Sequence, residues 1–510
     1  FDTWSTRPRA LFLLGKSVNT WPAFYAGQPS IRPDVDGAYA RCLVPSYGYP
    51  SCDQCFTTGI NFDGRRMEVP VGRLSANTNA DVINYLAKVR ATEAQAPALW
   101  QKNILHFAGG FGSGQQGLLA SLLTGFGNIV QDTCFGANVV LFRKNSSDVI
   151  QLASADSVRH YIEDEGVTLM TFFAHAFSTS FDITIDDPEN YDWHGKHPMV
   201  IGNSCFIGDI HQNNSASSSE MWVMAPGVGP IAFMASIQQG LIGYLAQYTS
   251  EFYRSFGSVN YGASIGEHMK YATFQSQVNS PTVPTGWTAH TFTLEGDPTL
   301  VLNTHPKPDY SVTASEIFFE PAVVTADVDT FTVKVVVSNL GKAVNATFNV
   351  ELQRTNPGLG TASINYFTTL SNVIIRDTAV FRVPTRGFSG GQGINQLAVR
   401  VDKEPDQVDE LENDTNNITW TTLFIISGDL VPAYPYDFAI VPDPIVTLKA
   451  STGDPLAPPR NYVFQIDTTD LFNSPVREST TIMAPGGVVE WTPGAIYALN
   501  TFEDSTVFYW

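Results

Sequence analysis

Short, uninterrupted apolar runs punctuate the first part of the chain, at Ala10 to Leu14, Ile104 to Phe107, Val139 to Phe142, Leu169 to Ala174, Met199 to Asn203 and Ile231 to Ala235. Runs of this length without polar alternation predict strands covered on both faces. Between them, Ala80 to Arg90, Gln116 to Phe126, Asp156 to Asp164 and Leu241 to Phe256 carry apolar positions at helical spacing. Strands and helices in alternation predict a mainly parallel α/β sheet over residues 1–305. The pattern changes after Thr304-His-Pro-Lys-Pro-Asp309. Beyond it Thr330-Phe-Thr-Val-Lys-Val-Val-Val337 alternates with period two, which places Phe331, Val333, Val335 and Val337 on one face of a half-buried strand. Similar runs at Ile374 to Val383, Gln396 to Val401 and Ile418 to Ile426, separated by Gly, Asn and Asp clusters, predict a β-sandwich over 311–427. A second all-β unit, 431–510, follows a Pro-Ala-Tyr-Pro linker.

Composition narrows the classes of function. Asp and Glu number 49 against 29 Lys and Arg, a formal charge of −20 that repels phosphate backbones and argues against a nucleic-acid partner. No apolar run reaches the ~18 residues of a membrane helix; the richest, Val167 to Phe177, is broken by Thr168, Thr171 and His175. The start at Phe1, without a basic-then-apolar leader, and the strand-like end Asp504 to Trp510 predict a piece of a longer chain. Five cysteines, at 42, 52, 55, 134 and 205, leave at least one unpaired. Cys52 and Cys55 form a CxxC with no second CxxC to complete a four-thiolate zinc site. A local disulfide with Cys42, or free thiols, is the expectation there.

Four motifs compete for the chemistry. Gly112-Ser-Gly-Gln-Gln-Gly117 matches a dinucleotide fingerprint, with Arg143 and Lys144 as possible phosphate partners. Four residues separate it from the preceding strand, so a plain strand-to-helix loop is the preferred reading. His194, His197 and His211 could supply three imidazoles, but from a glycine-containing loop without helical spacing. The acidic stretch Asp182, Asp186, Asp187, Glu189 and Asp192 lacks the spacing of an EF-hand; Asp186 and Asp187 are kept as candidates for a structural calcium ion, and no cofactor is required. Serine chemistry has no GxSxG elbow to use. Cysteine chemistry has a better placement. His175 closes one predicted strand and Cys205 the next, and neighbouring parallel strands lie about 5 Å apart with sites assembled at their carboxyl ends. An imidazole beside a thiol stabilises the nucleophilic thiolate and then protonates the leaving amine.

At these residues the sequence resembles the gingipain-type cysteine peptidases, whose catalytic domain has a caspase-like α/β fold. Met170-Thr-Phe-Phe-Ala-His175-Ala176 is similar to the family strand ending in Gly-His-Gly, and Gly202-Asn-Ser-Cys205-Phe-Ile-Gly208 to the strand ending in the nucleophile. Val69-Pro-Val-Gly-Arg73, Trp100 to Gly110 and Leu294 to Leu300 extend the resemblance along the domain. It implies Cys205 as nucleophile, His175 as general base and acid, and an oxyanion hole from the backbone N–H groups of Ala176 and Cys205. Two departures stand out: Ala174 and Ala176 replace the family glycines, and Gln115-Gln116 occupies the neighbourhood where some members carry an acidic residue orienting the histidine. The tail resembles a cell-adhesion-related, immunoglobulin-like sandwich followed by a fibronectin-type-III-like one. The arrangement is similar to the surface sortases of the type IX secretion system. It implies a peptide or protein substrate, outer-membrane secretion partners and a secreted or surface location on a Gram-negative bacterium. The alternative is a pseudopeptidase acting as a scaffold subunit of such an assembly.

Overall fold

The computed structural model describes residues 6–19, 35–60, 64–213, 215–302, 305–326, 328–357, 362–386, 391–402, 407–411, 415–426, 430–441, 445–494 and 506–510. Phe1, Thr304, Ser427, Asp504 and Ser505, which mark sequence boundaries above, lie outside these.

Among the described residues, ten strands belong to the first part of the chain: β1 (Leu11–Leu14), β2 (Val71–Leu74), β3 (Asn103–Ala108), β4 (Asn138–Arg143), β5 (Leu169–Phe173), β6 (Ala176–Phe177), β7 (Ser180–Phe181), β8 (Met199–Asn203), β9 (Ala232–Ser236) and β10 (Phe292–Gly296). Eight form one sheet in the order β1-β2-β10-β9-β8-β5-β3-β4, while β6 and β7 make a separate two-residue hairpin. From β9 to β4 all neighbours run parallel, as do β1, β2 and β10, and the two sets meet antiparallel at β10 and β9. The sheet is therefore mainly parallel, with one reversal that the apolar runs did not reveal. Every residue of β3, β5, β8 and β9 is buried, as expected for strands with helices on both faces.

The helices are α1 (Val35–Arg41), α2 (Asn79–Glu93), α3 (Gly112–Gln131), α4 (Leu152–His160), α5 (Ser218–Met224), α6 (Ile242–Arg254), α7 (Ile265–Asn279) and α8 (Val283–Thr291). Helix α2 starts at a capping box in which the Thr78 hydroxyl accepts from Asp81 N–H and the Asp81 carboxylate accepts from Thr78 N–H. Helix α3 begins at Gly112, earlier than the spacing indicated, so the glycine motif is its first turns and not a loop. That shift brings Gln115 to the sheet edge.

Downstream, β11 (Tyr310–Ser311), β12 (Ile317–Glu320), β13 (Thr330–Asn339) and β16 (Arg376–Pro384) form one sheet of an immunoglobulin-like sandwich. The other sheet holds β14 (Thr347–Thr355), β15 (Ser363–Ser371), β17 (Gly393–Val401) and β18 (Ile418–Ile425). Phe331, Val333, Val335 and Val337 of β13 face its core, all at most 1% exposed. The last described part has β19 (Leu430–Tyr434), β20 (Leu448–Thr452) and β23 (Val488–Trp491) in one sheet, and β21 (Arg460–Ile466) and β22 (Glu478–Ala484) in another.

Two buried charge groups stitch the first strands to the rest of the sheet. Arg73 of β2 donates bidentately to Asp53, both at 2.7 Å, and to the carbonyls of Gly15 and Val44. Glu295 of β10 accepts from Ser75 N–H at 2.7 Å and from the Ser75 hydroxyl at 2.8 Å. Burial, with Glu220 adding to it, pushes the Glu295 carboxyl up to about 8. A carboxyl raised on folding stabilises the fold fully below the ordinary carboxylate range, and that stability is lost as pH rises through about 8. Thermal melts at pH 6 and 9 should therefore show the wild type losing on the order of 2 kcal/mol more stability than Glu295→Gln over that interval. Parallel losses in the two proteins would remove Glu295 as the cause.

Candidate active site

Strands β5 and β8 run parallel with Phe173 opposite Asn203. The ladder continues past the strand ends: Ala174 N–H reaches Asn203 O at 3.4 Å, and the Ser204 hydroxyl donates to Ala174 O at 2.6 Å. His175 and Cys205 follow next along the chain, just past the strand ends, so both lie at the carboxyl edge of this strand pair. Both are partly exposed.

Around His175 the chain builds a rigid seat. Its Nε2 lies 3.0 Å from Gln115 Oε1, and that oxygen also accepts Phe111 N–H at 2.7 Å. A backbone N–H can only donate, so the Gln115 atom it meets is the oxygen, and the imidazole must carry its proton on Nε2. Nδ1 is left as the basic nitrogen. The Phe111 ring stacks on the imidazole with centroids 4.2 Å apart and remains 69% exposed.

Asp182 fixes the backbone beneath. One carboxylate oxygen accepts His175 N–H at 2.9 Å; the other accepts Gly110 N–H at 2.8 Å and Lys144 Nζ at 3.2 Å. It thus ties together the ends of β3, β4 and β5. Gly109 makes this approach possible, because a Cβ there would lie 2.2 Å from Asp182 Oδ1 and 2.8 Å from the Ala174 methyl. The methyl that departs from the family Gly-His-Gly is accommodated opposite a residue that has none.

The thiol has different partners. Cys205 Sγ accepts Gly240 N–H at 3.3 Å and points towards Gly240 O at 3.7 Å. It makes no hydrogen bond with His175 among the described contacts. Phe206 follows with φ +57°, a left-handed conformation unusual for an aromatic residue, and turns the chain sharply after the cysteine. Cys205 N–H takes no partner among the described backbone bonds. In the β6–β7 hairpin, Asp182 N–H donates to His175 O at 2.8 Å, and Ala176 faces Phe181 in the next pair. Hydrogen-bonded and non-bonded pairs alternate in an antiparallel ladder, so Ala176 N–H points away from the hairpin.

The other candidates separate. Lys144 is taken by Asp182, which leaves no phosphate-binding pair beside the glycine motif. His197 Nδ1 is hydrogen-bonded to Gly229 O, His194 is exposed beside Asp192, and His211 is buried next to Asp53, Arg73 and Lys16, where burial holds it down at about 4. Asp186 pairs with Arg159 at 3.5 Å, and Asp187 precedes a short 3-10 turn without a side-chain bond. Neither belongs to a group of three metal-ligating side chains among the described residues. The expected pairing with Cys42 is also corrected: Cys52 bonds to Cys55, while Cys42 lies against the backbone of Val18. Gln115, Phe111 and Asp182 were not read as site residues. Gln115 has only its place near the family's acidic position as a signal, and Asp182 stands in the sequence as one acid of a stretch without EF-hand spacing.

A mainly parallel α/β sheet presenting a cysteine and a histidine on neighbouring strand ends is the architecture of a caspase-like cysteine peptidase. The sequence model of peptidase family C25 matches residues 1–303, and the chain belongs to this gingipain family. Among solved structures, the Arg-specific cysteine proteinase gingipain R (RgpB) is 14% identical, with 75% of this chain and 81% of that chain covered and a TM-score of 0.41. The complex of Porphyromonas gingivalis RgpB pro- and mature domains is 14% identical over 82% of this chain and 86% of that one, TM-score 0.42. The CARDB domain of the PF1109 protein from Pyrococcus furiosus, in complex with di-metal ions, is 25% identical over 24% of this chain and 91% of its own, TM-score 0.18. No curated protein matches the chain. No described helix is long and apolar enough to cross a membrane.

Proposed function

We propose that the chain is a secreted or surface endopeptidase that acts on exported proteins through a Cys205 thioester, in the manner of a sortase. The observation that supports this is the β5–β8 register, which brings His175 and Cys205 to one carboxyl edge, with the Gln115 oxygen on Nε2 and no partner on Nδ1 among the described contacts. In the reaction, His175 Nδ1 takes the thiol proton and the sulfur attacks the scissile carbonyl carbon. The carbonyl oxygen becomes an oxyanion facing the N–H groups of Ala176 and Cys205. His175 returns the proton to the leaving amine as the C–N bond breaks, leaving an acyl-thioester. Water then gives a free acid and an amine gives a new amide, each restoring the thiol. The sortase-like choice of an amine rests on the two all-β units behind the peptidase, which suit a component of a surface assembly. Structural calcium is not part of this proposal.

Among the described contacts the imidazole is backed by a neutral amide and not by a carboxylate. The neutral Gln115 oxygen orients His175 but adds little stabilisation to an imidazolium, unlike an anion in the same place. Iodoacetamide labelling of Cys205 across pH 5 to 9 should therefore be faster in Gln115→Glu, by about tenfold below pH 7. It should collapse to an ordinary thiol profile in His175→Ala. Equal profiles in all three proteins would sink the pair and leave the scaffold reading, which the thiol's position on Gly240 and the Phe111 ring over the imidazole favour. With a labelled peptide, added amine should divert product from acid to amide; acid alone would leave a hydrolase.

A further inference from the structure

The CxxC meets its third partner far away in sequence. Cys55 Sγ lies 3.9 Å from His290 Nδ1, across 235 residues, and the ligand atoms of Cys52, Cys55 and His290 all fall within 4.8 Å of one another. Cys52 and Cys55 are disulfide-bonded here, Cys52 is buried, and Cys55 and His290 are partly exposed at the end of α8. The peptidase chemistry does not use this cluster.

Its backbone is held in place by bonds that do not involve sulfur. Cys52 N–H donates to Tyr47 O at 2.8 Å, and Asp53 is locked to Arg73. Gln54 donates to the carbonyls of Ala289 and Phe292, and its oxygen accepts from Thr273 at 3.4 Å. Gln54 thus binds the CxxC turn to the two residues that bracket His290 and its helix end. Opening the disulfide leaves these bonds intact, so two thiols and an imidazole remain gathered at one spot.

We infer that reduction of Cys52–Cys55 creates a zinc site of two thiolates and the His290 imidazole, and that oxidation abolishes it. A dithiol reductant gives two electrons and two protons to the S–S bond and is itself oxidised to a disulfide. Zinc then displaces the two thiol protons and takes the Nδ1 lone pair, with the imidazole proton on Nε2. Tetrahedral zinc with Zn–S of about 2.3 Å and Zn–N of about 2.0 Å sets its ligand atoms roughly 3.5–3.8 Å apart; Cys55 Sγ and His290 Nδ1 are near that spacing at 3.9 Å, and the two sulfurs reach it by moving apart once their bond is broken. Thiolate and imidazole together favour zinc over oxygen-seeking ions such as calcium or magnesium. Partial exposure of Cys55 and His290 leaves the fourth position to water.

The two states differ as crosslinks. The disulfide joins residues three apart, so it constrains the unfolded chain little. The metal would join the CxxC to α8 across the peptidase domain, closing a loop of 235 residues. Metal binding should therefore raise the melting temperature of the reduced protein, and the oxidised protein should not respond.

The full chain, oxidised or reduced under argon and freed of excess reductant, would be titrated with cobalt and then zinc. The expected result is one metal per reduced chain, with thiolate charge-transfer absorption and intense tetrahedral d–d bands, and none in the oxidised chain. His290→Ala should weaken zinc binding by more than the ~10–100-fold typical of losing an outer-shell partner. Cys52→Ser with Cys55→Ser should remove the charge-transfer band attributable to this site. No binding by the reduced wild type, or binding of unchanged strength in His290→Ala, would overturn the inference. The oxidised-against-reduced comparison needs no variant, so a folding failure in the cysteine variants does not blunt it.

Discussion

Cys205→Ala is expected to lower kcat/KM for any cleaved peptide by about 10^4-fold or more, and His175→Ala by about 10^3-fold, with the double variant little worse than Cys205→Ala. Nucleophile and base act in one step, so removing either disables the other and the losses do not add. The geometry adds a signature. Gly240 N–H holds the thiol sulfur at 3.3 Å, and His175 is seated independently by Gln115 and Asp182. Neither substitution removes a bond that the other residue depends on for its position. The variants should therefore melt within about 1 °C of the wild type while losing activity. Loss of activity accompanied by unfolding would show that these side chains support the sheet edge instead of the reaction. Steady-state kinetics with a peptide found by library cleavage, together with differential scanning calorimetry, separates the two outcomes.

Asp182→Ala should combine the largest loss of stability near the site with a large loss of rate. The Asp182 carboxylate accepts three donors, and its ion-pair partner Lys144 is only 9% exposed. Deleting the carboxylate leaves a nearly buried ammonium unpaired and two backbone N–H groups without acceptors, a defect of about 3 kcal/mol or more. The melting temperature of the peptidase domain should fall by roughly 6 °C. Activity should fall by about 10^2-fold even well below the new melting temperature, since His175 N–H and Gly110 N–H set the height of the imidazole and of the Phe111–Gln115 turn. Lys144→Met in the same background removes the stranded charge. It should recover much of the stability and little of the activity, which distinguishes a positioning role from a merely structural one. Recovery of both would mean that Asp182 serves only to neutralise Lys144.

How much of this was legible in the sequence follows from the range of each interaction. The apolar runs ending at Ala174 and Asn203 located two strands, and their closeness in the chain made them neighbours in a parallel sheet. The residues just past their ends, His175 and Cys205, were legible for that reason. The alternation in Thr330 to Val337 likewise fixed one face of β13, because a pleated strand repeats every two residues whatever it packs against. Helix α3 was placed but started late, because three glycines in its first turns mask the helical pattern.

Local periodicity says nothing about which loop crosses which strand end. The reversal between β9 and β10, the Gln115 oxygen on His175 across 60 residues, and the Asp182 carboxylate on Gly110 across 72 were decided by the tertiary structure. So was the meeting of the CxxC with His290. Each depends on where a packed sheet delivers its connecting segments, and a glutamine, an aspartate or a histidine in such a segment carries no pattern of its own. The sequence by itself determined the strands of the sheet and the positions of His175 and Cys205 just past two of their carboxyl ends, because burial writes strand positions into the spacing of apolar residues. The tertiary structure alone decided which proton the histidine carries and what holds it, because those follow from single polar contacts between segments that meet only once the core has formed.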